Sequence, residues 1–512
     1  MNDAEVLIVG AGPTGLALAL FLTHSGVKPR ITEKNSGPGQ ESRAMVVQAR
    51  TLEFYRQLGF AEDVVNRGIK METAHFRKDS HEVTEIHFGD FGAGLSPYPF
   101  VLSFPQDDHE RLLGEQLKAV GVDVEWGTEL VDFANEGDRI RATLQTNGAQ
   151  TECIVAYLCG CDGAHSTVRQ GLGMGFPGGT YDQKFYVTDV EAEGVAAVKD
   201  GFSAWVGTHE LCLVFPIRST GMHRLIGTVP DELTDRVDLT FEDIRPFVAK
   251  LVGLNVSKVN WFSSYHVHHR VADHFRAGCA FLLGDAGHVH SPAGGQGMNT
   301  GIGDAVNLSW KLAAALQGRA DSSILDTYEA ERIAFARSLV ATTDRIFQLM
   351  VGRGLSGQLF REALLPHMAP FLFGFSGVRS AAFRLLSQTR INYLESPLSE
   401  GSAGEVHGGD RLPWVVSGDG SDNFAPLRSL DWQVHVYGDA GQALRDAARN
   451  GHLALHRFNW TDSMRDAGLK RNALYLVRPD GYVALADVGQ EVEKLRTYLT
   501  GFKILPRLDA TA

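Results

Sequence analysis

Gly10, Gly12 and Gly15 follow the apolar run Val6–Val9, and an acid, Glu33, stands eighteen positions after the last of them. Residues of these types at this spacing suit the binding of the ADP half of a dinucleotide. Gly10 permits a tight turn, Gly12 lets backbone approach a pyrophosphate with no Cβ in the way, and Gly15 lets a following helix pack closely on the preceding strand. Pro13 and Thr14 lie inside the same loop and are counted with it as cofactor contacts. The phosphates would sit at a positive helix N-terminus, and Glu33 is placed to accept a hydrogen bond from an adenosine ribose hydroxyl.

Two further stretches could carry chemistry. In Leu158-Cys-Gly-Cys-Asp162-Gly163-Ala-His-Ser166, an apolar run delivers an acid just before a helix opened by a serine. Asp162 therefore falls at a strand end, where α/β folds put ligand contacts. In Ala280-Phe-Leu-Leu-Gly284-Asp285, a second strand delivers an acid. The segment from Pro292 through Gly294–Gly297 to Met298 and Asn299 is then a glycine-rich turn. Its backbone N–H groups can come up to the anionic edge of a flat ring before the next helix starts.

The elements that must position these residues are legible around them. Residues 3–33 predict a strand, a glycine turn, a helix and a second strand, the βαβ unit. Residues 43–58 predict a helix and residues 71–88 strand-like alternation. Residues 105–120 predict a helix capped by Asp107 or Asp108, with Pro105 ending the strand before it. From Phe185 to Val267 the pattern becomes period-two, which predicts a separate antiparallel sheet. Helices are expected from Gly303 to about Gln388. Gly401 to Asn423, rich in Gly, Ser and Asp, reads as a linker. Beyond it strand, helix, strand, a two-strand turn at Asp480-Gly481 and a final helix follow in the order of a thioredoxin-like domain.

Taken together, Gly10-x-Gly12-x-x-Gly15, the Asp162-Gly163 motif and the Gly284-Asp285 motif resemble the FAD-dependent aromatic hydroxylases, the single-component group A flavoprotein monooxygenases. The larger members, the phenol hydroxylases and aromatic polyketide hydroxylases with a C-terminal thioredoxin-like domain, are most similar in layout. The resemblance covers essentially the whole chain. It implies an α/β fold in which a Rossmann-like FAD-binding domain (residues 1–175 and 270–400) carries an inserted antiparallel-sheet substrate domain (176–269, with about 70–104). A thioredoxin-like domain would follow at 410–512. The implied activity is hydroxylation of a phenolic or polyketide-like ring, with NAD(P)H as co-substrate, O₂ as oxidant and a flavin C4a-hydroperoxide as oxygen donor.

Residue by residue, the resemblance places Glu33 and Lys34 at the adenosine ribose, Arg43 near the pyrophosphate and Gln106 beside the ribityl chain. Leu130 would meet the adenine through its backbone. Asp162 would be tied to FAD and NAD(P)H, Asp285 would hold a ribityl hydroxyl, and Pro292, Gly297, Met298 and Asn299 would lie against the flavin ring. Tyr328-Glu329-Ala-Glu331-Arg332 matches a further family motif, departing from it at Ala334, where a proline is usual. A halogenase on this scaffold would carry Trp-x-Trp-x-Ile-Pro, which the sequence lacks. A flavin reductase or oxidase, and a non-catalytic FAD protein working through its tail, are the remaining alternatives.

Composition bounds the partners. A net charge of −13 over 512 residues offers no basic face for nucleic acid. The N-terminus lacks the positive region of a signal peptide, and Leu16–Leu22 is too short to span a membrane, so a cytoplasmic protein is expected. Five cysteines, none after Cys279, predict buried thiols and no dithiol chemistry in the tail. His266, His268 and His269 are expected on a strand surface rather than at a metal. His288 and His290 fall near the flavin, where packing is the expected role, and no general base is assigned. Substrate contacts are expected from the sheet between Phe185 and Trp261 and from an apolar helical cover around Phe347–Phe375, which could equally form a homodimer face.

Overall fold

The computed structural model describes residues 4–39, 44–78, 81–194, 200–206, 211–218, 221–351, 373 and 375–507. Arg43 and most of the apolar cover, including Phe360, Leu364, Leu365, Met368, Phe371 and Leu372, lie outside the described residues.

The glycine fingerprint belongs to a six-stranded sheet. Its strands run in the order Arg276–Ala277, Ala280–Leu282, Tyr157–Gly160, Val6–Val9, Pro29–Glu33 and Val124–Trp126, and all but the first pair are parallel. Val6, Leu7 and Ile8 are fully buried, as strands covered on both faces must be. Parallel pairing has a consequence for chemistry: Val9, Glu33, Gly160 and Leu282 all end at one edge, so the three acid- or glycine-bearing segments that follow them emerge side by side. The ladder continues past the strands, with Gly10 N donating to Thr32 O, Cys161 N to Val9 O and Leu283 N to Gly160 O. Helix Pro13–His24 is buried from Gly15 to Leu22, because it is enclosed by the sheet and by helices Gly297–Leu316 and Gln106–Ala119.

The period-two region forms an eight-stranded sheet, ordered His288–Val289, Asn255–Val271, Gly178–Glu193, Met222–Thr228, Leu211–Ile217, Gly201–Val206, Thr73–Lys78 and His81–His87. Alternation sorts its side chains. Tyr186, Val190, Cys212, Val214 and Leu225 pack under helix Phe241–Val252. Phe215 and Ile217 face the opposite way, against Met45 and Met71. Helix Phe241–Val252 is delimited as its sequence directs, by a Thr240–Asp243 capping box and a left-handed Gly253.

In the C-terminal part, Gln433–Tyr437 pairs parallel with Ala454–Phe458 and antiparallel with Leu474–Val477, which pairs antiparallel with Val483–Asp487. Helices Gln442–Asn450 and Val492–Gly501 complete the expected thioredoxin-like order.

Three local expectations are corrected. Residues 401–423 are not a free linker: Glu400–Ala403 pairs with Val483–Asp487 and with Val406–His407, adding two strands to the C-terminal sheet. The helix expected over 43–58 begins at Ala49, because Val46–Val47 is held extended against Val101–Ser103. The helix Gln106–Ala119 has Pro105 at its N-cap, and Asp107 and Asp108 lie within its first turn, where they pair with Arg218 and Arg111. Among the described residues no helix is long and apolar enough to cross a membrane.

Candidate active site

At the shared sheet edge the first motif has the shape a pyrophosphate needs. Gly10 adopts φ +103°, and a Cβ there would run into the backbone of Cys161 and Asp162. Gly12 is the N-cap of helix Pro13–His24, which has no side-chain cap and no acid in its first turn. A Cβ on Gly12 would meet no protein atom within 4 Å, so an open helix N-terminus faces outward beside it. Glu33 ties the loop to the second strand: one carboxylate oxygen accepts from Ala11 N at 3.0 Å and the other from Asn35 N and Nδ2 at 3.0 and 2.6 Å. Lys34 is exposed next to it.

The other two motifs meet the first directly. A Cβ added to Gly284, which has φ +57°, would come 2.7 Å from Thr14 Oγ1, and one on Gly301 would also strike that hydroxyl. Asp285 follows in a 3₁₀ turn, Gly284–Ala286, and is exposed at the edge. Asp162 follows the neighbouring strand, Tyr157–Gly160. Its Oδ2 accepts from Val168 N at 3.1 Å, whereas its Oδ1 is buried with no partner. Burial raises the Asp162 pKa against several hydrogen bonds that lower it. An orphaned carboxylate oxygen beside an open helix N-terminus is what a cofactor supplying hydroxyl donors would satisfy.

Gln106 closes the rim, its amide oxygen accepting from Ala44 N at 3.2 Å and its amide nitrogen donating to Glu110 at 2.8 Å. Leu130 is buried in the strand Thr128–Asn135, leaving only its backbone to offer a ligand. On the ring-loop side Pro292 is exposed, Gly294 and Gly295 both have positive φ, and helix Gly297–Leu316 starts without a side-chain cap. Met298 is half-buried. Asn299 is spent on the protein: it accepts from Gln48 N and Thr51 Oγ1 at 3.0 and 2.8 Å and donates to Val46 O and Gly295 O at 2.8 and 2.9 Å. Its side chain braces the loop from behind.

A model of the FAD binding domain matches residues 3–343. The 6-methylpretetramide 4-monooxygenase of Streptomyces rimosus is 32% identical, across 99% of this chain and 94% of its own length. The structure of the anhydrotetracycline hydroxylase OxyS, also from Streptomyces rimosus, superposes with a TM-score of 0.80 at 27% identity, covering 98% of this chain and 99% of that one. The chain belongs to the FAD-dependent aromatic hydroxylases. The family is not uniform in the names its relatives carry, since the dialkyldecalin synthase of Streptomyces rugosporus is 34% identical over 94% of this chain and 96% of its own length.

In this flavoprotein the residues present fit FAD: the open helix end suits phosphates, and the unpartnered Asp162 oxygen suits a hydroxyl donor. Behind them lies a brace whose motif was legible but whose geometry was not. Asp304, buried on helix Gly297–Leu316, accepts from Gly284 N (2.9 Å), His288 Nε2 (2.8 Å) and Arg332 Nε (2.6 Å). Burial alone would raise its pKa, but Arg332 and His288 more than offset this and hold the carboxylate low. His288 is thus a partner of the buried Asp304. His290 donates through Nδ1 to Ser291 O at 2.8 Å, and its Nε2 is buried without a partner. Burial pushes its pKa down to about 4, so the ring is neutral. His266 and His268 bond to Tyr181 O and Thr180 Oγ1 on the neighbouring strand Gly178–Glu193.

An aromatic cluster adjoins the glycine-rich turn. Phe202 stacks on Phe215 (5.1 Å between centroids) and adjoins Phe76 and Phe88, and Phe88 leads through Phe91 to Phe373. Phe215 and Met45 share their cluster with Val46, and a Cβ on Gly295 would touch Val46. The aromatic face thus runs up to the glycine-rich turn.

Proposed function

We propose that this flavoprotein hydroxylates a planar, polycyclic phenol of the polyketide kind. The observation that carries the reading is the continuity from Phe202 and Phe215 through Val46 to Gly295, which sets an apolar, ring-matching surface beside the flavin loop. The monooxygenase and hydroxylase names of its relatives point the same way. FAD would supply the redox chemistry, drawing an electron pair from NAD(P)H and activating O₂ at its C4a position. The balance is one aromatic C–H, O₂, NAD(P)H and a proton giving C–OH, NAD(P)⁺ and water.

The chain's own residues bind, orient and exclude water. Gly12 and the helix behind it take the pyrophosphate, Glu33 the adenosine ribose, and Asp162 and Asp285 the hydroxyls nearer the flavin. The turn Pro292–Met298 presents backbone to the ring, and the phenylalanine face keeps water from the reacting centre. Dependence on a reduced nicotinamide pool fits a cytoplasmic site of action.

The test is NAD(P)H oxidation by the purified yellow protein against phenols, naphthols and anthraquinone-type polyketides, with product mass recorded. A ligand that speeds oxidation and gains one oxygen atom supports the reading. The synthase name among the relatives motivates a second reading, cyclisation on a flavin-bearing scaffold, which predicts a product of unchanged mass and no NAD(P)H consumed.

A further inference from the structure

The thioredoxin-like part has no cysteine and no assigned task, yet its turn Arg478–Gly481 enters the core of the molecule. Arg478 has no exposed side-chain surface. Its guanidinium grips Glu331 with both forks, at 2.7 and 3.0 Å, and also Asp480, at 3.0 and 2.6 Å. Glu331 takes further hydrogen bonds from Asn307 (2.6 Å), Lys311 (2.8 Å) and Ser396 (2.6 Å). Asp480 is held in turn by Trp310 Nε1 through its side chain and by Arg50 through its carbonyl. A bidentate guanidinium between two carboxylates fixes direction as well as distance.

The next residue on the helix, Arg332, faces the flavin side. It donates to Asp304 at 2.6 Å and to the carbonyl of Thr300 at 3.1 Å, and its third contact is Tyr393 OH at 2.8 Å. Asp304 accepts the N–H of Gly284, the residue before Asp285, and Thr300 directly follows Asn299 in the helix that the ring loop opens. Arg332 therefore holds both segments expected to touch the flavin. The Tyr393 ring lies 4.5 Å from that of Tyr482, on the C-terminal side of the same turn. Every link is a direct contact between buried groups, the contiguous path that energetic coupling needs.

We infer that Arg478 is a positioning residue for FAD: by fixing Glu331 it sets the helical turn that carries Arg332, and through Asp304 and Thr300 it sets the Gly284–Asp285 turn and the end of the ring loop. The C-terminal part then works as a remote wall of the cofactor site. The inference rests on FAD binding alone, so a protein that binds FAD and hydroxylates nothing still tests it.

The experiment compares holoenzyme with Arg478→Lys, Asp480→Asn and Asp422→Asn. The last breaks the Arg56–Asp422 ion pair (2.7 Å), which docks the same C-terminal part away from Glu331. FAD release is followed by the rise in flavin fluorescence on dilution, and bound flavin by its visible circular dichroism. A lysine cannot reproduce the fork, so Arg478→Lys should release FAD about tenfold faster or more and alter the flavin dichroism, the size of an ordinary coupling between sites. Asp480→Asn should move both in the same direction by less, and Asp422→Asn should match wild type. By reciprocity FAD should raise the melting temperature of Arg478→Lys less than that of wild type. Folded Arg478→Lys and Asp480→Asn proteins that release FAD at the wild-type rate would overturn the inference. So would Asp422→Asn releasing as fast as Arg478→Lys, which would make general loosening the cause. If Arg478→Lys does not fold, Asp480→Asn decides.

Discussion

Thr14 Oγ1 lies 2.7 Å from the point where a Cβ on Gly284 would sit, so the glycine loop after the first strand and the turn that carries Asp285 are fitted atom against atom. Strand order makes this meeting possible, because both segments leave the parallel sheet at the same edge.

Gly284→Ala should therefore empty the site. The left-handed backbone at φ +57° costs an alanine about 1–2 kcal/mol, and its methyl group must also displace Thr14. The expected outcome is protein that purifies with much less flavin absorbance per chain. A variant as yellow as wild type would show that the two motifs tolerate separation.

Asp162 makes the fold's stability depend on pH. Its pKa is raised by burial in the folded chain, so its contribution to stability is present at acid pH and is lost as pH rises past its unfolded value and through its folded one. Asp162→Asn removes that penalty. Apoprotein carrying it should melt higher than wild-type apoprotein at neutral pH, with the gap closing in acid, while FAD binds more weakly. Thermal melts at the two pH values check the sign, and a gap that widens in acid would refute it.

Asn299→Ala should cost about 2–4 kcal/mol, since Gln48 N, Thr51 Oγ1 and the carbonyls of Val46 and Gly295 all lose a partner. Denaturant unfolding measures the loss. FAD affinity should fall with it, because the ring loop loses its brace.

Phe215→Leu removes a ring stacked on Phe202, a pair worth about 0.5–1.5 kcal/mol, and keeps an apolar side chain against Val46, which borders the glycine-rich turn. FAD content should stay at the wild-type level. The share of NAD(P)H oxidation that ends in hydroxylated product should drop, as the aromatic surface orients its substrate less well. Unchanged coupling would move the substrate elsewhere.

The elements that carry the expected site residues were legible because their determinants are local. Gly10, Asp162 and Asp285 each follow a strand end, Gly12 and Gly15 open the helix Pro13–His24, and the apolar runs before them announce those ends. Residues 401–423 misled because their glycines suggest freedom, whereas Glu400–Ala403 and Val406–His407 are paired strands. Asp107 and Asp108 look like caps, but the chain opens the helix at Pro105 and uses both acids to hold Arg218 from the neighbouring sheet. The brace of Asp304, Arg332 and Arg478 was hidden for a different reason. Its members are far apart in sequence, and only the folded chain shows that a carboxylate inside helix Gly297–Leu316 reaches back to Gly284 N. The Tyr328–Arg332 motif was the available signal, and it did not reveal which partners each residue takes.

The central claim is tested most directly by turning the holoenzyme over on an accepted phenol under isotopically labelled O₂, with NAD(P)H supplied. The account predicts a product carrying one labelled oxygen atom, formed only when NAD(P)H is present. An unlabelled product formed without NAD(P)H would contradict it.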